Sequence, residues 1–422
     1  MIDSIALAVQ SSWIFLAVMA FLALYPLVTS LVWISTAVVF RLIREGDDDE
    51  AFYEVSDAEL PSVTILVPAF NESRHLDTSL EALHDLDYPE FRVLVVDDAS
   101  SDDTTAIADR HVARDPRFRR LRKEVNEGKS MAMNHGMRLV DTEVVVVVDA
   151  DSALDRRALR YICAHFARLA RVGCVTGNPR VVNRENLLTE LQVVEFSSIV
   201  SLLRRAQHVW GRILAISGVI SAFRVSALKD VDMFDPYRLT EDIDVAWKLQ
   251  MRFYDVRYEP RALVGMTVPS TLGGLWRQRV RWAGGLAQVL AAHGSRAWRW
   301  RYRRQWGVVT EAALSVLWAH LFLLFVAFWA LLVVLDAPTG AFPAIPNAWG
   351  MLLATAALLQ LTVGVLLDMR YERRAGWALA VAPLYPLLYW MLMTVVTVRA
   401  TIPALIAAAL GRQARWSTPR EA

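Results

Sequence analysis

From Trp13 to Phe40 the chain runs without a charged residue. That is longer than the roughly 20 residues needed to cross the hydrocarbon core of a bilayer. Lipid offers no partner to an unpaired backbone, so such a stretch has to be a spanning helix. The only charge ahead of it is Asp3, whereas a secretory signal peptide has a basic start and a shorter apolar region, so the helix is expected to be retained. Arg41 and Arg44 follow it and nothing basic precedes it, an asymmetry that places the chain after residue 40 in the cytoplasm. The remainder cannot be membrane throughout, because 21% of the residues are charged. With 45 Lys and Arg against 44 Asp and Glu, 55% hydrophobic residues and a mean hydropathy of +0.31, the chain is neither a disordered polymer nor a basic binder of nucleic acid. Its two cysteines, Cys163 and Cys174, give no disulfide framework and suit a reducing compartment as core residues.

The two characters separate along the chain. Residues 1–45 read as the N-terminal transmembrane helix and residues 46–60, with the acidic run Asp47 to Glu50, as a linker. Residues 61–293 have the composition of a soluble α/β domain. Val63 to Val67, Val93 to Val96 and the unbroken Val144 to Val148 are short apolar runs of the kind buried on both faces of a parallel sheet. Helix-length stretches lie between them, Ser73 to Leu86 and Asp103 to Arg114. The alternation predicts a doubly wound sheet, whose ligands bind at the carboxyl ends of its strands. Residues 294–305 follow, where Trp298, Trp300 and Tyr302 alternate with Arg299, Arg301, Arg303 and Arg304, a mixture selected by the cytoplasmic membrane interface.

In residues 306–411, spans are predicted at Trp306 to Leu335 and Trp349 to Leu367. The connecting Asp336 to Asn347 has no Lys or Arg and so faces outward, and Arg370, Arg373 and Arg374 bring the chain back inside. The last apolar stretch, Trp377 to Leu410, is interrupted by Pro383, Pro386, Arg399 and Pro403. It is either one span plus an interfacial helix or two short passes. Arg412, Arg415 and Arg420 in the basic tail 412–422 favour an inside terminus and hence two passes.

The polar residues at the strand ends carry the chemistry. Asp149 and Asp151 follow the valine run, where two carboxylates reach one hard divalent cation that also takes phosphate oxygens; the bland alternative is a solvated turn. Asp97-Asp98 end an earlier strand and Asn71-Glu72 follow Val67-Pro68, so acidic and amide groups converge on one sheet edge. Such groups accept hydrogen bonds from a base and ribose, with helix capping by Asn71, Asp102 and Asp103 as the competing reading. Gly128-Lys129-Ser130 resembles the end of a phosphate loop, but Lys123 stands where that motif needs its first glycine. Lys129 is left as a point charge for a diphosphate. Thr240-Glu241-Asp242 opens a helix-like segment, where a carboxylate is ordinarily a cap. Gln278, Arg281 and Trp282 set an amide, a guanidinium for a leaving diphosphate and a flat face for a sugar just upstream of the membrane, although Arg and Trp there also suit an interfacial helix.

Taken in order, Asp98, Asp149 with Asp151, Thr240-Glu241-Asp242, and Gln278 with Arg281 and Trp282 meet the pattern of separate aspartates, D-x-D, T-E-D and Q-x-x-R-W. The chain thereby resembles the processive family 2 glycosyltransferases, the group that includes cellulose, chitin and hyaluronan synthases. Over about residues 60 to 400, Val175 to Arg180, Ile216 to Arg224, Thr240 to Gln250, Tyr258 to Leu263 and then Ala414-Arg415-Trp416 look most like the bacterial poly-β-1,6-N-acetylglucosamine synthase branch. Two departures stand out: room for one N-terminal span where that branch often has two, and Asp98-Ala99 where relatives commonly have Asp-Gly.

The resemblance implies a GT-A type, Rossmann-like cytosolic α/β domain inserted between transmembrane helices of the bacterial cytoplasmic membrane. It implies UDP-GlcNAc as donor, uridine near Pro68, Glu72, Asp98 and Lys129, and Mg2+ or Mn2+ on Asp149 and Asp151. Asp242 would be the general base, with Glu241, Gln278, Arg281 and Trp282 serving acceptor and diphosphate. The product would be a biofilm polysaccharide growing through the lipid bilayer. A small membrane subunit and cyclic-di-GMP-dependent activation follow from the resemblance alone. Another family 2 synthase, making chitin-like β-1,4 polymer, hyaluronan or a glycolipid, stays open as an alternative, as does a non-catalytic transport or regulatory subunit. Ionisable groups, which a transporter needs in its spans, are nearly absent from them, His320 and Arg399 aside.

Overall fold

The computed structural model describes residues 2–46, 50–337 and 348–412. Most of the acidic run from Asp47, most of the outward loop 336–347, and the tail with Arg415, Trp416 and Arg420 lie outside the described residues. The α/β domain is built on one eight-stranded sheet: β1 (Val63–Ala69), β2 (Phe91–Asp97), β3 (Phe118–Arg122), β4 (Val144–Val148), β5 (Ser152–Leu154), β6 (Val172–Val181), β7 (Ile220–Arg224) and β8 (Asp255–Met266). Their spatial order is β3-β2-β1-β4-β7-β6-β8-β5.

The three valine-rich runs become β1, β2 and β4 because they are buried on both faces. In β4, Val144, Val146 and Val148 join one hydrophobic cluster with Leu76, Leu80 and Ile107. Val145 and Val147 join the opposite cluster with Met133, Met137 and Phe223. This two-sided packing is what an unbroken apolar strand is suited to. The intervening helices are Leu76–His84 and Thr104–Arg114, the first shorter at both ends than its sequence signal.

The doubly wound expectation holds for β3, β2, β1 and β4, which are all parallel. Beyond β4 the sheet is mixed: β7 lies antiparallel between β4 and β6, and β5 is antiparallel to β8. The register pairs Ala69 with Asp97 and Val148 with Ile220. The polar residues after β1, β2 and β4 therefore meet, across β7, the segment that enters it.

Among the described residues, four helices are long and apolar enough to cross a membrane, making this a membrane-associated protein. They are Trp13–Arg44, Trp306–Val334, Ala348–Asp368 and Trp390–Ala409. The Trp377 to Leu410 stretch resolves into a 3-10 segment, Arg373–Ala380, a wide π turn, Tyr385–Tyr389, and one helix of spanning length. Pro383 and Pro386 fall where regular helix is absent, as expected of residues without an N–H. The spans hold an ionisable group besides His320 and Arg399: Glu311, which accepts a hydrogen bond from Tyr25 at 2.9 Å.

The spans are joined to the sheet domain by buried charge. Glu45, at the end of the first span, and Asp368, at the end of the third, both have fully buried side chains, and Arg205 lies between them. Its Nε and Nη2 donate to Glu45 Oε1 at 3.1 and 3.0 Å and its Nη1 to Asp368 Oδ1 at 2.7 Å. Arg180, on β6, holds the other Asp368 oxygen at 2.6 Å. Removing the shared cation leaves two carboxylates buried, a loss of about 3–5 kcal/mol. Arg205→Gln is accordingly expected to lower the thermal unfolding midpoint of the detergent-purified protein sharply. A midpoint within a degree or so of the wild type would show that this junction does not hold the domains together.

Candidate active site

The site is assembled where β1, β2 and β4 end. Asp98 is fully buried, and its carboxylate accepts from Lys123 Nζ at 2.6 Å and from the backbone N–H groups of Glu127 and Gly128 at 3.2 and 2.7 Å. It thereby pins the loop that delivers Lys129. Ala99 takes the left-handed conformation, φ 63°, at a cost of about 1–2 kcal/mol for a residue with a Cβ. That is the physical content of the Asp-Ala departure: the turn keeps its shape without its glycine. Pro68 closes β1 beside Val96, and the Glu72 N–H donates to Thr104 Oγ1 at 2.8 Å. The capping reading holds in part: Asp102 accepts from Thr104 N and Ser73 N, whereas Asp103, at the N-cap position, makes no side-chain capping bond, and Asn71 accepts from Ser101 N instead.

Lys129 does not turn toward Asp98. Its ammonium lies 2.7 Å from Asp149 Oδ1 and 3.1 Å from Glu241 Oε1, and donates to the Gly218 carbonyl at 3.3 Å. One cation thus ties the end of β4 to the T-E-D turn and to the segment entering β7. Asp149 and Asp151 are both buried. Glu241 and Asp242 stand in the first turn of the helix Glu241–Met251, just after its N-cap Thr240, where the helix dipole favours negative charge.

Asp149 and Glu241 thus touch one ammonium, whose charge also reaches Asp242, and Asp151 follows two residues after Asp149. Asp242 shows the consequence: burial, then the neighbouring Glu241, raises its pKa to about 6, against the lowering effects of Lys129, the Ile243 N–H and Arg281. The surplus of negative charge and the hard oxygen donors fit a divalent cation on Asp149 and Asp151. The other candidate cluster, Glu81, His84 and His111, lies between the helices after β1 and β2, where His84 meets Asp115 and Glu81 meets Arg114. His84 ends its helix, which puts the cluster at the opposite edge of the sheet from Asp149.

The Q-x-x-R-W residues lie on the long helix Leu272–Ala297. Arg281 is exposed and its charge reaches Asp242. Gln278 Oε1 accepts from Arg279 at 2.5 Å. The guanidinium of Arg279 lies over Trp282, 3.9 Å from the ring centroid, and Trp282 is partly buried against the main hydrophobic cluster. Arg279, overlooked between two motif residues, is fully buried; it bonds Tyr389 Oη at 2.9 Å and pairs with Glu195. Only its distant partners identify it. Arg204 was likewise illegible: it is buried, its Nε donates to the Ala215 carbonyl at 3.2 Å, and burial lowers its pKa below the ordinary arginine value against the opposing influence of Tyr258 and Asp242.

This helix reaches the T-E-D turn through a missing side chain. A Cβ on Gly285 would lie 2.1 Å from Thr240 Oγ1, and one on Gly284 would lie 3.1 Å from both Ala404 Cβ and Leu239 Cδ1. His293 Nε2 meets Asp244 Oδ1 at 2.7 Å and ties the two helices a second time.

A sheet domain with carboxylates at its strand ends, tethered to membrane-length helices, is the architecture of a membrane-associated GT-A glycosyltransferase. The model of the family described as "Glycosyltransferase like family 2" matches residues 61–285, and the chain belongs to that family. Poly-beta-1,6-N-acetyl-D-glucosamine synthase of Staphylococcus epidermidis is 32% identical over 406 residues, covering 94% of this chain and 97% of that one. Its Staphylococcus aureus counterpart is 31% identical over 402 residues, with the same coverage. Among solved structures, a mannosyltransferase from Pyrobaculum calidifontis in complex with GDP-Man and Mn2+ superposes with a TM-score of 0.60 at 23% identity, covering 92% of this chain and 99% of that one.

Because no L-amino acid avoids a Cβ, Gly285→Ala must displace the T-E-D turn. A misplacement of about 1 Å costs on the order of 100-fold in turnover. The variant is expected to lose about that much transfer activity with its unfolding midpoint and donor affinity nearly unchanged; wild-type turnover would show that the turn tolerates the shift.

Proposed function

We infer that the protein polymerises N-acetylglucosamine from UDP-GlcNAc into poly-β-1,6-N-acetylglucosamine at the cytoplasmic face of a bacterial inner membrane, the polymer leaving through its spans. One observation carries this reading: Asp242 is within reach of both the charge of Lys129, which pairs with Asp149, and the charge of Arg281, in a chain matched nearly end to end by synthases of that name.

In this reading Pro68, Glu72 and Asp98 border the uridine. Lys129 places a positive charge on the diphosphate side. Asp149 and Asp151 hold a divalent cation, Mg2+ or Mn2+, which when bound neutralises charge on the leaving UDP. The Asp242 carboxylate takes the proton from the C6 hydroxyl of the growing chain as that oxygen attacks the anomeric carbon. The bond to UDP breaks on the opposite face, and the α-linked donor becomes a β-linkage. A single displacement needs no enzyme nucleophile, so one carboxylate with a pKa near 6 serves as base. Trp282 floors the acceptor sugar, with Gln278 and Glu241 beside it.

The test is turnover of UDP-GlcNAc by membranes carrying the chain, with magnesium or chelator, followed by digestion with a β-1,6-specific glucosaminidase. Metal-dependent polymer that is degraded supports the reading; polymer that resists digestion overturns the linkage. Asp242→Asn is expected to bind donor but lose about 10²–10⁴ in rate. A protonated Asp242 cannot accept a second proton, so wild-type kcat/KM should rise with pH through an apparent pKa near 6 and level off above it. A flat profile between pH 5 and 7, about a unit either side, removes Asp242 as the base. Asp151→Ala should weaken metal-dependent UDP binding, measured by calorimetry, while leaving any metal-free binding intact.

A further inference from the structure

Between the sheet domain and the foot of the Trp306–Val334 span lies a cavity of about 340 Å³ lined by Arg171, Arg212, Arg301, Arg303 and Arg304, with no aspartate or glutamate in its lining. Like charges converge in this way only at a cost unless an anion joins them. Of the five, Arg171 alone has a carboxylate partner among the described residues, Asp255 at 3.5 Å, and both of those side chains are exposed. Arg301 rests over Phe253 at 5.1 Å and Arg303 over Trp300 at 5.2 Å, contacts that orient a guanidinium without neutralising it.

Arg212 is the innermost of the set, 5% exposed. It donates from Nη1 to the Gly211 carbonyl at 2.6 Å, while its Nε has no hydrogen-bond partner. A buried charged donor left unmet is expensive, and a charged acceptor reaching it relieves both penalties. Burial, then Arg304 and, more weakly, Arg171 pull its pKa below the ordinary arginine value, with Asp255 opposing them.

The cavity's position selects the kind of anion. Arg301, Arg303 and Arg304 directly precede Trp306, where the span begins. Trp298 and Trp300 beside them are 49% and 70% exposed, as tryptophans at headgroup level are. Planar guanidiniums in a cluster match phosphate oxygens. Basic clusters at the cytoplasmic foot of a span attract anionic lipid. We propose that this cavity binds a phosphate ester, delivered from the bilayer as the headgroup of an anionic phospholipid. The site also touches the catalytic framework, for Gln250 in its wall lies on the helix that begins with Glu241 and Asp242, and both its amide atoms are bonded to the Ile213 backbone.

The full chain in nanodiscs of phosphatidylcholine, alone or with a third phosphatidylglycerol, provides the test. Lipid retained on the protein is read by native mass spectrometry, and the unfolding midpoint by tryptophan fluorescence. Inorganic phosphate with chelator is the soluble probe. Phosphatidylglycerol should be retained in preference to phosphatidylcholine and should raise the midpoint. Each exposed arginine is worth about fivefold in affinity, so the triple variant Arg301→Gln/Arg303→Gln/Arg304→Gln should lose on the order of 100-fold, and Arg304→Lys much less. Because these three side chains lie on the surface, the fold is expected to survive, and the variant's midpoint in pure phosphatidylcholine checks that it does. Equal retention of the two lipids, or wild-type retention by the triple variant, overturns the proposal. Binding of inorganic phosphate without any preference for phosphatidylglycerol overturns the lipid source and assigns the cavity to a soluble phosphate.

Discussion

A water-soluble transferase domain has to be held rigidly against helices whose outer faces want only lipid, and Arg205 is where the two are joined. It is sealed between Glu45 and Asp368, residues that end two different spans, while sitting on the helix Leu202–Val209 of the catalytic domain. Hydrophobic contact alone would let the surfaces slide, because it has no direction. A buried bidentate cation fixes angle and register, since every displacement separates charges in a medium that does not screen them. Arg279, with Glu195 and Tyr389, repeats the device beside the Q-x-x-R-W residues.

The catalytic centre uses electrostatics in the opposite sense. At the junction charges are matched; at the end of β4 they are unequal, with Asp149 and Glu241 both paired to Lys129 and Asp242 within reach of its charge. The imbalance lifts Asp242 toward neutrality and makes the centre a receptor for positive charge. In the proposed reading, the same surplus that favours a metal beside a diphosphate also tunes the base, and because Lys129 touches both Asp149 and Glu241, the proposed donor and base halves share one counter-ion.

Much of this was legible along the chain because the relevant signals are local. The valine run of β4, the two aspartates after it, T-E-D and Q-x-x-R-W are each contiguous, and chemistry at the end of a buried strand follows from position. The antiparallel insertion of β7 between β4 and β6 was not legible, since apolar periodicity says that a strand is buried and nothing about its direction. Nor were Arg205 and Arg279: an arginine in sequence looks solvated until its partner, more than eighty residues away for Glu195 and further for Glu45, is brought beside it. Lys129 was identified, but its partners Asp149 and Glu241 came only from the fold. The final apolar stretch was ambiguous because its prolines permit several breaks, and packing selected one.

The contact between Gly285 and Thr240 has an evolutionary consequence. The outward faces of the spans require apolarity, a property that many residues supply, so those positions can drift. Position 285 requires the absence of an atom, and only one amino acid meets that demand. Change in this protein is therefore free where it faces lipid and nearly frozen at a point that itself performs no chemistry.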